Sequence, residues 1–170
     1  MPDLFIPQEE FSEWLYDEPH LVTPLLQGYS EAISDMGGNL LKDPRSSKNA
    51  HVLNPDFAKQ QRYFMGVQPL PEQFQLVLSC LYVFPEFRGS GLGKHLINTA
   101  KQMIQDKGFI QVAVEEQKIP QLDSFYKNQD FLSTDDIIPN GFGIAYRDYF
   151  WSAKKISLSR IGNTIAVQPL

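Results

Sequence analysis

Val83-Phe84-Pro85-Glu86-Phe87-Arg88-Gly89-Ser90-Gly91-Leu92-Gly93-Lys94-His95-Leu96 joins an apolar run to an amphipathic helix through a glycine loop. The run before it, with Leu76, Val77, Leu78, Cys80, Leu81 and Val83, reads as a buried strand. Gly89, Gly91 and Gly93 leave successive backbone N–H groups uncovered and allow a tight curl. The helix that opens at once adds its own unsatisfied N–H groups and the positive end of its dipole. The expectation is an anion cradle that holds a phosphate-bearing ligand by its main chain.

Spacing separates the kinds of phosphate loop. A P-loop needs a glycine five residues before Gly93 and Ser or Thr after the lysine; the chain has Arg88 and His95 there. The dinucleotide fingerprint G-x-G-x-x-G fails at its third glycine, where Lys94 stands. What the residues satisfy is R-x-x-G-x-G, carried by Arg88, Gly91 and Gly93, after a strand ending Val83-Phe84-Pro85.

That pattern resembles motif A of the GNAT superfamily of acyl-CoA-dependent N-acyltransferases. The resemblance is specific over residues 76–107 and continues more weakly to about residue 131. There Phe125-Tyr126-Lys127-Asn128-Gln129-Asp130-Phe131 is similar to the family's Y-x-x-x-G-F ending, with Asp130 in place of the glycine. It implies a loop, Arg88 to Lys94 (Arg88, Gly89, Ser90, Gly91, Leu92, Gly93, Lys94), that wraps the pyrophosphate of acetyl-CoA. It also implies a strand, splayed from its neighbour, whose Leu81, Tyr82 and Val83 pair with the pantetheine arm. Tyr126 falls where the family has the acid that protonates the leaving thiolate. A phenol of pKa near 10 can protonate a thiolate of roughly 8.5 through an existing hydrogen bond.

The base is read less directly. Glu115 and Glu116 end the strand Phe109 to Val114, near where parts of the family place an acceptor-side glutamate. Alternation sends neighbours to opposite faces, so at most one faces the site; Glu115 is preferred, with a water chain as the other option. Two solvated carboxylates at a strand end fit the sequence equally well. The oxyanion donor is expected to be a main-chain N–H near Val83. Cys80 invites a covalent intermediate but has no histidine partner in view, and reads as a buried structural thiol. His20, His51 and His95 lack metal-ligand spacing, so no metal is expected.

Periodicity fills in the rest. Pro7 to Tyr16 reads as a short amphipathic helix. Thr23-Pro24 reads as a cap on a second helix through Leu25, Leu26, Tyr29, Ala32, Ile33 and Met36, stopped by Gly37-Gly38. Residues 39–61 carry the weakest signal; within them Lys42 to Asn49 reads as a polar surface loop. Strands follow at Arg62 to Leu70 and Phe74 to Phe84, then a helix from Leu92 ended by Gly108. A strand Phe109 to Val114 and a helix Pro120 to Gln129 come next, and Phe131 starts another strand. Ile144 to Trp151 alternates Ile144, Tyr146, Asp148 and Phe150 as a hairpin strand, and Thr164 to Val167 adds a last strand or crosses to a second subunit. Trp14, Tyr29, Tyr63, Tyr146 and Trp151 line an aromatic acceptor pocket or are simply core. The fold expected is α/β, an α+β mixed central sheet with flanking helices, as one domain over residues 1–170, which is the GNAT architecture.

Composition narrows the partners. The 170 residues are 42% hydrophobic and 21% charged, the profile of a folded globular chain. A net charge of −5 argues against a nucleic-acid scaffold and favours basic substrates. No apolar run approaches the ~20 residues of a membrane span, and the N-terminus does not read as a signal peptide. The lone Cys80 excludes an internal disulfide and suits a reducing cytoplasm. The functional expectation is acetyl transfer from acetyl-CoA to a primary amine on a small molecule, peptide or protein, with a homodimer permitted by the late hairpin. Two rivals stand beside it: an acyl-CoA-binding sensor without turnover, and a nucleotide-binding protein using the same cradle.

Overall fold

The computed structural model describes residues 2–25, 49–139, 143 and 145–170. A seven-stranded mixed sheet runs in the order β1 (Leu4–Pro7), β2 (Ala50–Leu53), β3 (Tyr63–Leu70), β4 (Gln75–Val83), β5 (Phe109–Glu115), β7 (Ala145–Ser152), β6 (Ile138–Pro139). Neighbours are antiparallel except β4 and β5, which run parallel. That single parallel pair is joined by α2 (Leu92–Ile104), the crossover a parallel connection requires. α1 (Gln8–Asp17) follows β1, and α3 (Ile119–Asn128) links β5 to the late strands. A separate ribbon, β8 (Ile156–Ile161) with β9 (Thr164–Pro169), pairs only with itself.

The mixed sheet with flanking helices agrees with the sequence reading, and so do most elements within a residue or two. Leu96, Ile97 and Ala100 form the buried stripe of α2 and share a core with Leu76, Leu78, Ile110, Val112 and Val114. The second core cluster lies on the other side of β7, where Ile165 of the ribbon meets Ile138 and Phe150. The sheet is therefore covered by helices on one face and by the ribbon on the other around β5 and β7.

Several expectations need correction. The weakly patterned stretch 39–61 contains a strand: Ala50–Leu53 is wholly buried between β1 and β3. Its four residues are too few for periodicity to reveal. β1 was likewise hidden, because Leu4 to Pro7 looks like the approach to α1. Residues 22–25 are already helical, so Thr23 lies inside a helical turn rather than ahead of it. α2 stops at Ile104, with Gln105 at φ 53, before Gly108 is reached. Gly108 serves a different end: a Cβ there would stand 1.9 Å from the Phe74 carbonyl oxygen, which accepts the Phe109 N–H at 2.9 Å. Phe131 starts no strand. Leu132 makes one isolated bridge to Phe150 and the chain then runs without regular structure to β6. The helix expected through Tyr29 and Met36, and most of the polar loop after it, lie outside the described residues.

One departure from regularity positions the site. β4 and β5 pair only at Gln75–Phe109, Leu76–Ile110 and Val77–Gln111. Beyond Val77 the strands part, and β5 continues against β7 to Glu115. At the same level the β3–β4 register slips between Gly66 and Val67, leaving Ser79 as an extra residue in β4. Such a bulge bends and twists its strand. Gly66 fits the crowding: an added Cβ would meet Ser79 Oγ at 2.5 Å. The result is a gap that opens between β4 and β5 toward their C-terminal ends.

Candidate active site

β4 runs out at Val83 beside the gap, and Pro85 starts a single 3-10 turn through Phe87. The turn closes with Phe87 N–H on the Phe84 carbonyl at 2.9 Å. Gly89 and Gly91 both sit at φ +84, the left-handed region that glycine tolerates, and a Cβ at either would meet no atom within 4 Å. The loop is thus open on its outer side. Gly91 caps α2, whose first helical bond runs from His95 N–H to the Gly91 carbonyl at 3.0 Å. The N–H groups of Leu92, Gly93 and Lys94 precede it and have no acceptor inside the helix. The glycine curl opening into a helix is therefore present, with one refinement. Gly93 acts through space rather than φ: a Cβ there would lie 3.3 Å from Phe125 of α3.

The loop's charges are Arg88 and Lys94, both exposed. Arg88 Nε donates to the Val83 carbonyl at 2.8 Å, and its guanidinium carbon stands 5.4 Å from the Tyr82 ring centre. Ser90 Oγ donates to the Phe87 carbonyl at 2.7 Å, bracing the curl. Among the described residues, Leu81, Tyr82 and Val83 have no ladder partner on the β5 side. Tyr82 is buried against Phe84 and Phe64, while Leu81 and Val83 are half-buried.

Tyr126 and Glu115 lie on opposite faces of the sheet. Tyr126, on α3, is buried, stacked on Tyr149 at 5.3 Å and edge-on to Phe131. α3 is tied to β7 through Asp123, which accepts from the Tyr149 hydroxyl at 2.6 Å and pairs with Arg147 at 3.4 Å. The Tyr149 bond, with help from Lys127 and Arg147, holds the Asp123 carboxyl below its usual range. Burial, then Asp123, pushes the Tyr149 hydroxyl well above the ordinary phenol. Glu115 ends β5 opposite Tyr146, half-buried, on the ribbon side of the sheet. Glu116 starts an exposed 3-10 turn. Cys80 is buried, and its Sγ accepts the Gly66 N–H at 3.2 Å.

Several groups escaped the sequence reading. Asp3 accepts hydrogen bonds from Tyr63 and pairs with His95 Nε2 at 2.7 Å, pinning the segment before β1 to the first turns of α2. His51 is buried on β2, stacked on Phe11 at 3.9 Å and 2.6 Å from Gln8 Oε1; burial lowers its pKa to about 4. Asp148 is buried on β7, and burial raises its carboxyl to about 6 against a hydrogen bond from Gln111. A signal for Asp148 was present: it stands between the aromatic Tyr146 and Phe150 on one face of β7. Among the described residues no cluster of three His, Cys, Asp or Glu side chains is arranged to hold a metal, and no helix is long and apolar enough to cross a membrane.

Comparison with known proteins agrees with this architecture. Residues 54–132 match the acetyltransferase (GNAT) domain family. The fold is similar to that of a GNAT-family acetyltransferase from Desulfovibrio desulfuricans, with TM-score 0.53 and 16% identity over 62% of this chain and 69% of that one. It is similar to a GNAT acetyltransferase from Elizabethkingia anophelis with acetyl-CoA bound, with TM-score 0.53 and 14% identity over 62% and 77% of the two chains. A variant of the Vibrio cholerae spermidine N-acetyltransferase matches with TM-score 0.51 and 15% identity, over 61% of this chain and 64% of that one. At these identities the likeness is one of fold. No curated protein matches the sequence.

Proposed function

We propose that this chain, which belongs to the GNAT acetyltransferase superfamily through residues 54–132, moves the acetyl group of acetyl-CoA to a primary amine by direct attack in a ternary complex. The observation that carries the reading is the parting of β4 from β5 beside a glycine loop that opens a helix. A donor with an anionic end and an amide-bearing arm suits both features. The N–H groups from Leu92 to Lys94 take the pyrophosphate, with Arg88 and Lys94 adding charge. The edge of Leu81 to Val83 pairs with the pantetheine amides.

Four needs of acyl transfer then fall to this chain's groups. The gap holds the thioester next to the amine. Glu115, or water held by it, removes the ammonium proton, which must go before the nitrogen has a lone pair. A main-chain N–H near Val83 stabilises the oxyanion. Tyr126 gives its proton to the leaving thiolate, and its place on the helix face, opposite Glu115, keeps acid and base apart. The spermidine enzyme among the similar folds agrees with a small cationic acceptor.

A second reading, acyl-CoA binding without turnover, is favoured by the burial of Tyr126, which is 1% exposed. The test that decides first is a thermal-shift titration with acetyl-CoA, CoA, ATP and NAD on wild type and Gly91→Trp. Ligand at a hundred times its dissociation constant raises stability by about 2.7 kcal/mol. Stabilisation by acetyl-CoA and CoA alone, lost in Gly91→Trp, is expected. Stabilisation by ATP or NAD instead would overturn the reading. Thiol release with amines then separates enzyme from sensor.

A further inference from the structure

The ribbon face of the sheet holds a cavity of about 400 Å³ between β4, β5, β7 and β9. Its polar lining includes Gln75, Gln111, Tyr146, Asp148, Asn163 and Thr164. Asp148 is 5% exposed. A short relay orients it: Gln75 Nε2 donates to Gln111 Oε1, and Gln111 Nε2 donates to Asp148 Oδ1 at 3.1 Å. The relay fixes the Gln111 amide with its NH₂ toward the carboxylate. Among the described residues, Asp148 Oδ2 accepts no hydrogen bond and no Lys, Arg or His pairs with it. A buried carboxylate without a cation is costly, and the fold elsewhere supplies one, as Arg147 and Lys127 do for Asp123. Among the described residues nothing supplies Asp148 with a cation, so its carboxylate facing the cavity is open to a positively charged donor.

Register sets where such a donor would lead. Asp148 stands opposite Ala113, and Tyr146, also on the cavity wall, stands opposite Glu115. Two residues along a strand cover roughly 7 Å. The cavity therefore runs along β7 from the level where β4 and β5 are still paired to the level of the carboxylate proposed as base. Resting on the acetyl-transfer reading above, we infer that this cavity is a cation subsite in which Asp148 binds the distal ammonium of a diamine acceptor. The proximal amine then lies toward Glu115 and the gap, and four methylenes between the nitrogens span a comparable length. Tyr146 and Phe150 line the same cavity and add aromatic surface beside the ammonium. Burial has raised the Asp148 carboxyl to about 6, so it is charged and able to hold a cation at neutral pH.

The test is isothermal titration of the full chain with 1,4-diaminobutane and with n-butylamine, which matches the chain but lacks the second cation. One-to-one binding of the diamine, at least tenfold tighter than butylamine, is expected. Asp148→Asn keeps the Gln111 bond and removes the charge, so it should erase that margin. Thr164→Trp, at an exposed position on the ribbon side of the cavity, should also weaken the diamine, and serves if Asp148→Asn fails to fold. Equal affinity for the two amines, or a margin untouched by both substitutions, overturns the subsite. The readout needs no acetyl-CoA. Stabilisation by acetyl-CoA without diamine binding removes only the subsite. Diamine binding through Asp148 without stabilisation by acetyl-CoA removes only the acyl-transfer reading.

Discussion

Two aspartates on opposite faces of β7 meet opposite fates. Arg147 and Tyr149 point to the helix face and converge on Asp123, whose carboxyl is held below its usual range. Asp148, between them in sequence, points to the ribbon face, where one amide bond does not offset burial and its carboxyl rises to about 6. The first acid is satisfied by the chain and ties α3, with Tyr126, to the sheet. The second has no cation partner among the described residues. The glycine loop is likewise a matter of main chain and conformation, while the cavity on the ribbon face is a matter of side chains and charge.

The sharpest way to break this contrast is the pH dependence of stability. The folded pKa of Asp148 lies above its ordinary 3.8, so its contribution is fully present below about pH 3.8 and lost as pH rises through about 6. Asp148→Asn lacks that loss. Its stability relative to wild type, from urea unfolding at several pH values, should rise by about 3 kcal/mol across that window. A flat difference would mean that Asp148 is satisfied after all. Next in size, Tyr126→Phe should lower kcat about a hundredfold while the dissociation constant for acetyl-CoA stays put. Thiol-release kinetics beside calorimetry check this, and an unchanged kcat would make Tyr126 a core residue only.

Asp123→Asn tests the other aspartate. It should cost about 2 kcal/mol at pH 7 by leaving the Tyr149 and Arg147 donors weakly paired. Its sign with pH is reversed: Asp123 has a depressed pKa, so its stabilisation is present above the ordinary carboxylate value and lost as pH falls, and the variant should converge on wild type in acid. The smallest effect belongs to Glu115→Gln. A loss of about tenfold in kcat/KM for the amine is expected, because water can replace part of a base's role. No loss would hand that role to solvent.

How much could be read from the chain follows the range of the interactions involved. The glycine loop was legible because Gly89 and Gly91 answer to local φ, and the α2 stripe because helical periodicity is local too. β2 was not, since Ala50 to Leu53 is identified as a strand only by β1 and β3 on either side. Gly93 was placed rightly and explained incompletely, because its neighbour Phe125 comes from another helix. Tyr126 and Glu115 were named from motif and strand end; that they lie on opposite faces needed the β5–β7 register.

By itself, then, the sequence determined the glycine curl that opens α2, the strand–helix–strand unit around it and the mixed sheet, since each rests on backbone preferences spanning a few residues. Only the tertiary structure decided where β4 leaves β5, which aspartate is paired, and what the ribbon encloses. Those depend on a three-pair ladder, a bulge at Ser79 and the approach of β9 to β7, contacts between segments far apart in the chain. The charge state of Asp148 belongs to that second group, because burial is a property of the packed molecule and not of the residue.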